Sequence, residues 1–253
     1  MDDLERAVQA LDEAGLVVAA TGAGMSQESG IPTFRDALEG LWARYDPQEL
    51  ATRDGFRRDP ARVWGWYNYR RGLIAAACPN AGHEALAKLE KLVPRVVVVT
   101  QNIDGMHRRA GSGVVLELHG SINRFKCFEC DHPVDDAEIP LADSDGPLDP
   151  PTCKRCGSAI RPDVVWFGEM LPAGVLEEAE SLAGSCDVML VVGTSGLVYP
   201  AAALPFAARD GGATVIEVNT ERSGITGTAD IFLQGPAGEV LPAIVSSLEA
   251  GRS

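Results

Sequence analysis

Four of the six cysteines form two pairs of equal spacing, Cys127-x-x-Cys130 and Cys153-x-x-Cys156. Two intervening residues let one tight turn present both thiolates to a single tetrahedral ion. Four thiolates, with no histidine and no open position, describe a closed structural site for one zinc ion. The 22 residues between the pairs slightly exceed the common ribbon spacing. The extra length falls in a stretch holding Asp143, Asp145, Pro147, Asp149, Pro150 and Pro151, where added loop costs little. A redox dithiol is the competing reading. Two pairs, neither following a strand of a sheet, disfavour it. Cys78 and Cys186 read as plain thiols, and His132 as a surface residue.

A second cluster of chemistry sits where apolar runs end. Leu16-Val17-Val18-Ala19-Ala20-Thr21 leads into Gly22-Ala23-Gly24, a turn whose backbone N–H groups can approach a pyrophosphate. The next glycine, Gly30, comes six residues after Gly24, so the regular dinucleotide spacing fails, and an ordinary tight turn stays open as a reading. The turn continues as Ser26-Gln27-Glu28-Ser29-Gly30-Ile31-Pro32-Thr33-Phe34-Arg35-Asp36, with small residues, a ring and a cation suited to closing over a ligand. Val96-Val97-Val98-Val99-Thr100 ends in Gln101-Asn102-Ile103-Asp104, whose amide and carboxylate suit sugar hydroxyls or a carboxamide. Asp187 to Val192 ends in Gly193-Thr194-Ser195, and Ala213 to Val218 ends in Asn219-Thr220-Glu221, placed for a ribose diol. Each segment alone is ordinary turn chemistry; together they line one edge.

His119 follows the short apolar stretch Leu116-Glu117-Leu118 and precedes Gly120. There it faces a crevice between two domains, and an ordinary pKa of about 6.5 suits a general base. From position alone a satisfied structural histidine is the simpler reading. His107 reads as helical and His83 as part of a helix start. Tyr67 and Arg70, in Tyr67-Asn68-Tyr69-Arg70, share a helical face. On the residues alone, an amphipathic helix with solvated Arg70 and Arg71 is the simpler account.

The elements that must position these groups are a parallel sheet and two insertions. Continuous β-branched runs bounded by glycine, with helical stretches between, indicate a Rossmann-like α/β sheet covered on both faces, with ligands at the carboxyl ends of its strands. Residues 3–14 read as an opening helix, and Ile231-Phe232-Leu233 as a last strand. The large domain is expected over 1–35, 87–121 and 161–253. A helical module over 36–86 and a zinc-ribbon module over 122–160 make the small domain. The 253 residues, 45% hydrophobic and 23% charged, supply an ample core. No apolar run reaches membrane-span length, and the acidic Met1-Asp2-Asp3-Leu4-Glu5 lacks a signal peptide's basic region. A cytoplasmic protein is expected. The formal charge of −14 argues against direct nucleic-acid binding and suits a basic peptide partner.

Taken together, Gly22-Ala23-Gly24-Met25-Ser26, Glu28 to Arg35, Thr100 to Asp104, His119-Gly120, the four cysteines, Phe167-Gly168-Glu169, Gly193-Thr194-Ser195 and Asn219 resemble the sirtuin family of NAD-dependent protein deacylases. The resemblance spans residues 22 to about 221 in family order. It implies that NAD and acyl-lysine meet between the domains, where the acyl oxygen attacks C1′ of the nicotinamide ribose and nicotinamide leaves. His119 is implied as the base that activates a ribose hydroxyl against the resulting imidate, giving free lysine and O-acyl-ADP-ribose. Asn102 and Asp104 match positions that hold the ribose and the nicotinamide amide. Gly22, Ala23, Gly24, Ser29, Ile31, Phe34, Arg35, Trp42, Gln101, Ile103, Gly193, Thr194, Ser195, Asn219, Thr220, Glu221 and Ala237 are implied as further cofactor residues. Val165, Trp166, Phe167, Gly168 and Glu169 match the peptide- and acyl-contacting segment, where substrate adds as a strand. Between Phe34-Arg35 and Leu41-Trp42 the chain carries one residue more than the resemblance leads one to expect.

Tyr67 and Arg70 are similar to the Tyr-x-x-Arg of the subgroup that removes succinyl and malonyl groups. A guanidinium takes a carboxylate with two parallel hydrogen bonds, and a phenol adds a third. Acyl-lysine proteins are therefore the expected partners, with succinyl, malonyl and acetyl as acyl groups and a monomer as the working unit. Protein ADP-ribosylation is the runner-up. A non-catalytic NAD or ADP-ribose sensor is disfavoured by intact His119, Asn102 and Asp104, and a dehydrogenase by the glycine spacing.

Overall fold

The computed structural model describes residues 2–32, 46–144 and 146–252. A six-stranded sheet is the frame, with β1 (Leu16–Thr21), β2 (Arg95–Thr100), β3 (Val115–Glu117), β7 (Val188–Val192), β8 (Thr214–Asn219) and β9 (Ile231–Gln234). The order is β3-β2-β1-β7-β8-β9, and every pairing is parallel. The chain winds outward from β1 through β2 to β3, then returns to β7 beside β1. Strand order thus reverses between β1 and β7, and loops leaving those two strands part to leave a crevice.

Side-chain alternation explains why these runs are apolar throughout. Val17, Ala19, Val96, Val98, Leu190 and Ile216 face one way and pack with Leu11 of α1 (Asp3–Glu13), Leu86 of α5 (Ala81–Leu89) and Ile244 of α9 (Ala237–Gly251). Val18, Ala20, Val97, Val99, Met189 and Val215 face the other way, onto Leu182 of α7 (Ala173–Ala183) and Leu204 of α8 (Leu204–Asp210). With both faces buried, neither set of positions can be polar. Each buried aliphatic side chain contributes roughly 1.5–3 kcal/mol.

The remaining elements build a second unit over the carboxyl edge. Among its described residues are α2 (Pro47–Leu50), α3 (Arg53–Arg58) and α4 (Pro60–Ala76), with an antiparallel sheet β5-β4-β6 from β4 (Gly120–Cys127), β5 (Pro133–Val134) and β6 (Ile160–Val164). Asp59 caps α4 by accepting from Arg62 N–H at 3.0 Å, and Pro60 opens it. Phe56, Trp66, Tyr67, Phe128, Val164 and Trp166 share one cluster, so the helices and the small sheet have a common core.

Three expected boundaries fall inside elements, that at 160/161 within β6. The one at 86/87 cuts α5, whose Ala85, Leu86 and Leu89 all lie in the core of the parallel sheet. The one at 121/122 cuts β4, a single strand running from the crevice into the cysteine-bearing sheet. Hydrophobic periodicity reveals a helix or strand but not the layer that it covers. No helix among the described residues is long and apolar enough to cross a membrane.

Candidate functional site

Backbone meets backbone at the switch point. Gly22 N–H donates to Val192 O at 3.0 Å and Gly24 N–H to Gly193 O at 2.8 Å. A Cβ on Gly24 would stand 2.8 Å from Gly193, and Gly193 itself has φ +59. Only glycines allow the two loops this contact. After Gly22 the chain coils as a 3₁₀ turn over Ala23–Ser29. The Ser29 hydroxyl oxygen is buried there with no hydrogen-bond partner among the described residues. An orphaned hydroxyl beside a glycine-lined turn fits a polar ligand such as NAD. Glu28 accepts from Gly238 N–H at 2.6 Å and so caps α9, the helix that buries Ala237 in its first turn. Any contact from Ala237 to a ligand is therefore through its backbone.

The polar strand ends converge. Asn219 Nδ2 donates to Thr194 O at 3.0 Å, and Gln101 Nε2 reaches the Thr194 hydroxyl at 3.3 Å. Asn102 Nδ2 donates to Gly22 O at 3.0 Å and to Ser26 Oγ at 3.2 Å. Ser26 in turn donates to Asp104 Oδ2 at 2.8 Å, and Met106 N–H to Oδ1 at 2.9 Å. Burial pushes the Asp104 carboxyl up, partly offset by these donors and by the charges of Arg70 and Arg109. Ser195, Thr220 and Glu221 are exposed at the crevice edge. Ile31 is buried and Ile103 half-buried, both packed in the second unit's core cluster. Phe34, Arg35 and Trp42 lie outside the described residues.

His119 ends the short loop after β3. Its Nδ1 lies 3.0 Å from Gln101 O. A carbonyl oxygen only accepts, so Nδ1 carries the proton and Nε2 keeps a lone pair. Burial lowers the pKa of the ring below 6.5, and the bond to Gln101 acts in the opposite sense. The imidazole is therefore neutral at neutral pH and able to take a proton at Nε2.

Beneath Asn102 and Asp104 lies a polar layer that sequence reasoning missed. Thr21 donates to Thr100 Oγ1 at 2.9 Å and meets His107 Nε2 at 2.9 Å; His107 is carried by α6 (Met106–Arg109). His83 lies 3.4 Å from Ser26 Oγ, and its ring meets that of His107 edge-on at 4.8 Å. The one visible signal was a threonine closing each of β1 and β2. Burial pushes His83 down to about 4 and His107 to about 3. Depressed values mean that the unfolded chain takes protons first. Their contribution is intact above pH 6.5 and drains away as pH falls toward 4 and 3, at about 1.4 kcal/mol per pH unit per histidine. Chemical denaturation between pH 7 and 4 is expected to show this slope, and His107→Gln to lower it by about one proton's worth. An unchanged slope would contradict the account.

The four cysteines come together. Their Sγ atoms all lie within 4.8 Å of one another, with Cys127–Cys156 at 3.3 Å, Cys130–Cys156 at 3.6 Å and Cys130–Cys153 at 3.9 Å. A tetrahedral ion with Zn–S bonds of about 2.3 Å needs sulfurs about 3.8 Å apart. The two turns are alike: Asp131 N–H returns to Cys127 O and Gly157 N–H to Cys153 O, each from a residue with positive φ. This set is positioned to hold one structural zinc. Cys127 and Cys153 are core residues beside Phe125 and Ile160, so metal and hydrophobic packing are coupled. Cys153→Ser is expected to abolish the one-per-chain zinc content and to lower Tm by roughly 10 °C or more. Metal analysis and a thermal melt check both.

On α4, Tyr67 and Arg70 are 3% and 8% exposed. Trp166 Nε1–H donates to Tyr67 Oη at 2.8 Å, and burial pushes the phenol up to about 12. Burial lowers the Arg70 pKa, and the charges of Tyr67 and Asp104 oppose that shift. Asn68, between them, exchanges hydrogen bonds with Ala142 and holds the loop after residue 139. Arg161, fully buried, grips both Glu169 oxygens at 2.5 and 2.9 Å. Burial alone would raise the Glu169 pKa; Arg161 and the Trp166 N–H overcome it and hold the carboxyl low. The segment Val165 to Glu169 thus forms a rigid rim that leaves Phe167 half exposed and Gly168 open to solvent.

A doubly wound sheet with a polar crevice at its switch point, overlain by a zinc-bearing unit, defines a nucleotide-using enzyme of two apposed units. The Sir2 family profile matches residues 22–200. NAD-dependent protein deacylase 2 of Pyrobaculum aerophilum is 52% identical over 229 residues, covering 90% of this chain and 89% of the relative. A solved Sir2 homologue in complex with NAD superposes with a TM-score of 0.90 at 43% identity, covering 100% of this chain and 96% of that one. A Sir2 protein bound to a myristoylated histone peptide gives 0.80 at 36% identity, covering 99% and 98%. The chain belongs to the Sir2 family.

Proposed function

We propose that this chain removes succinyl and malonyl groups, and also acetyl groups, from protein lysines, with Tyr67 and Arg70 reading the acyl carboxylate. NAD-dependent lysine deacylation is the activity of the enzyme, consistent with the deacylase relative and the NAD and acyl-peptide complexes of similar chains. The observation that carries the acidic-acyl preference is a guanidinium buried one helical turn from a buried phenol, within electrostatic reach of Asp104. A carboxylate delivered there gains charge-assisted bonds that an acetyl methyl cannot make.

NAD supplies an electrophilic ribose carbon and a leaving group. The chain's residues would do the rest. Ala23, Ser29, Thr194 and Ser195 offer N–H or hydroxyl donors to the phosphates on loops that Gly22, Gly24 and Gly193 hold together, and Asn219, Thr220 and Glu221 lie where a ribose would rest. Asn102 and Asp104 are held by Ser26 for the nicotinamide end. His119 would accept a ribose-hydroxyl proton at Nε2 while Gln101 holds Nδ1. The rim Val165 to Glu169 would line the acyl-lysine strand. We read the enzyme as a monomer acting on proteins, with its −14 charge opposed to nucleic acid. A cytoplasmic location goes with cysteines of which none is in a disulfide.

A competition assay tests the preference. Acetyl-, malonyl- and succinyl-lysine versions of one peptide are mixed with enzyme and NAD and followed by mass spectrometry. The acidic acyl groups are expected to disappear first, and equal rates for all three would contradict the role given to Tyr67 and Arg70.

A further inference from the structure

We infer that Trp166 is a positioning residue for acyl specificity: its indole N–H sets the direction of the Tyr67 hydroxyl hydrogen and so presents that hydrogen to the acyl carboxylate. The inference rests on the acidic-acyl reading above. It begins from the 2.8 Å contact between Trp166 Nε1 and Tyr67 Oη, the only hydrogen bond to that oxygen among the described residues. An indole N–H donates and cannot accept, so the phenol oxygen must accept from it. Conjugation keeps a phenol O–H near its ring plane, leaving two in-plane positions. With the indole at one, the hydrogen takes the other. Burial keeps the phenol protonated to about 12, so the hydrogen is present at any working pH.

Trp166 can impose this direction because it cannot move. Its backbone N–H donates to Glu169 Oε2 at 2.9 Å. The Arg161 guanidinium stacks 3.3 Å from its ring centroid and is itself fixed by Glu169 and by Val164 O at 2.6 Å. The rings of Phe56 and Phe128 flank it at 5.4 and 6.3 Å. A pre-aimed hydroxyl helps a ligand that has an acceptor for it. A carboxylate has one and an acetyl methyl has none, so the effect falls on selectivity.

A double-mutant cycle on the ratio of succinyl to acetyl kcat/KM tests this. Trp166→Phe keeps a ring and removes the N–H; Tyr67→Phe removes the hydroxyl. Each change is expected to lower the ratio by roughly 3- to 30-fold, through KM for the succinyl peptide more than through kcat. The double variant should match Tyr67→Phe alone within about twofold, since the indole has no hydroxyl left to orient. A purely structural tryptophan would lower both activities and leave the ratio unmoved. A second readout leaves Trp166 intact: Tyr67→Phe should shift one indole N–H resonance in the 15N spectrum, and an unmoved set would overturn the contact. Multiplying effects in the cycle, or a preference that survives Trp166→Phe, would overturn this inference alone. No acidic-acyl preference in the unmodified enzyme would overturn the reading beneath it as well.

Discussion

Replacing Arg70 by methionine is expected to lower kcat/KM for a succinyl-lysine peptide by roughly 10²- to 10³-fold, while the acetyl-lysine value changes far less. The magnitude follows from losing a two-bond charge-assisted contact inside a buried site, worth about 3–4 kcal/mol, at about 1.4 kcal/mol per decade. Methionine preserves length and apolar contact, including packing near the Trp66 ring, over which Arg70 now lies at 5.1 Å. Removing a desolvated cation is not expected to unfold α4, because burial works against the charge in the first place. Steady-state kinetics on paired peptides checks the prediction, with a thermal melt to confirm folding. Equal losses for both acyl groups would mean that Arg70 supports the helix or Asp104 rather than the acyl carboxylate.

His119→Ala is expected to cost roughly 10²- to 10⁴-fold in kcat toward every acyl peptide, the range for removing a positioned general base. The protein should remain folded, since the ring is only half-buried and, among the described residues, makes one side-chain hydrogen bond, to Gln101 O. The pH dependence has a definite sign. Burial lowers the His119 pKa below 6.5, so the neutral, proton-accepting form persists below that value. Activity is expected to hold through neutrality and to fall only as pH drops through the depressed value. A pH–rate profile on fully folded enzyme checks this. A limb that begins well above pH 6.5 would point to a different group as base.

How much of this was legible in the residues depends on the range of the interaction. β1, β2, β7 and β8 were readable because a strand buried on both faces must be apolar at every position, and each such run ends in glycine or a polar residue. The cysteine pairs were readable because a metal ion dictates its own spacing. β4 and β6 were not, since Asn123, Arg124 and Lys126 alternate irregularly with buried Ile122, Phe125 and Cys127, and their pairing slips between Ser121 and Phe125. The layer beneath Asn102 was hidden for another reason. Ser26, His83 and Asp104 meet across 57 and 78 positions, and no local pattern marks a histidine as fully buried. Glu217 shows the same limit: a carboxylate in a strand, it is wholly buried and takes a 2.5 Å bond from Ser223, which orders the loop beside Ser195. The contact from Trp166 to Tyr67, 99 positions apart, could be found only in the folded chain.

The helical insert illustrates the remaining gap. Spacing placed Tyr67 and Arg70 on one face, and α4 carries both among its buried residues. Spacing alone gave no sign that Trp66, Trp166 and Phe56 would close around them, and a solvated face was the simpler reading. Burial reverses that preference, because a guanidinium held away from water favours an anion as its ligand.

The most direct measurement is the stoichiometry of one reaction. The zinc-loaded enzyme is incubated with a succinyl-lysine peptide and NAD, and nicotinamide and free-lysine peptide are counted together. One nicotinamide per lysine unmasked, with neither formed when NAD is omitted, is the predicted result. Nicotinamide release without lysine unmasking, or no release with succinyl, malonyl or acetyl peptide, would contradict the account.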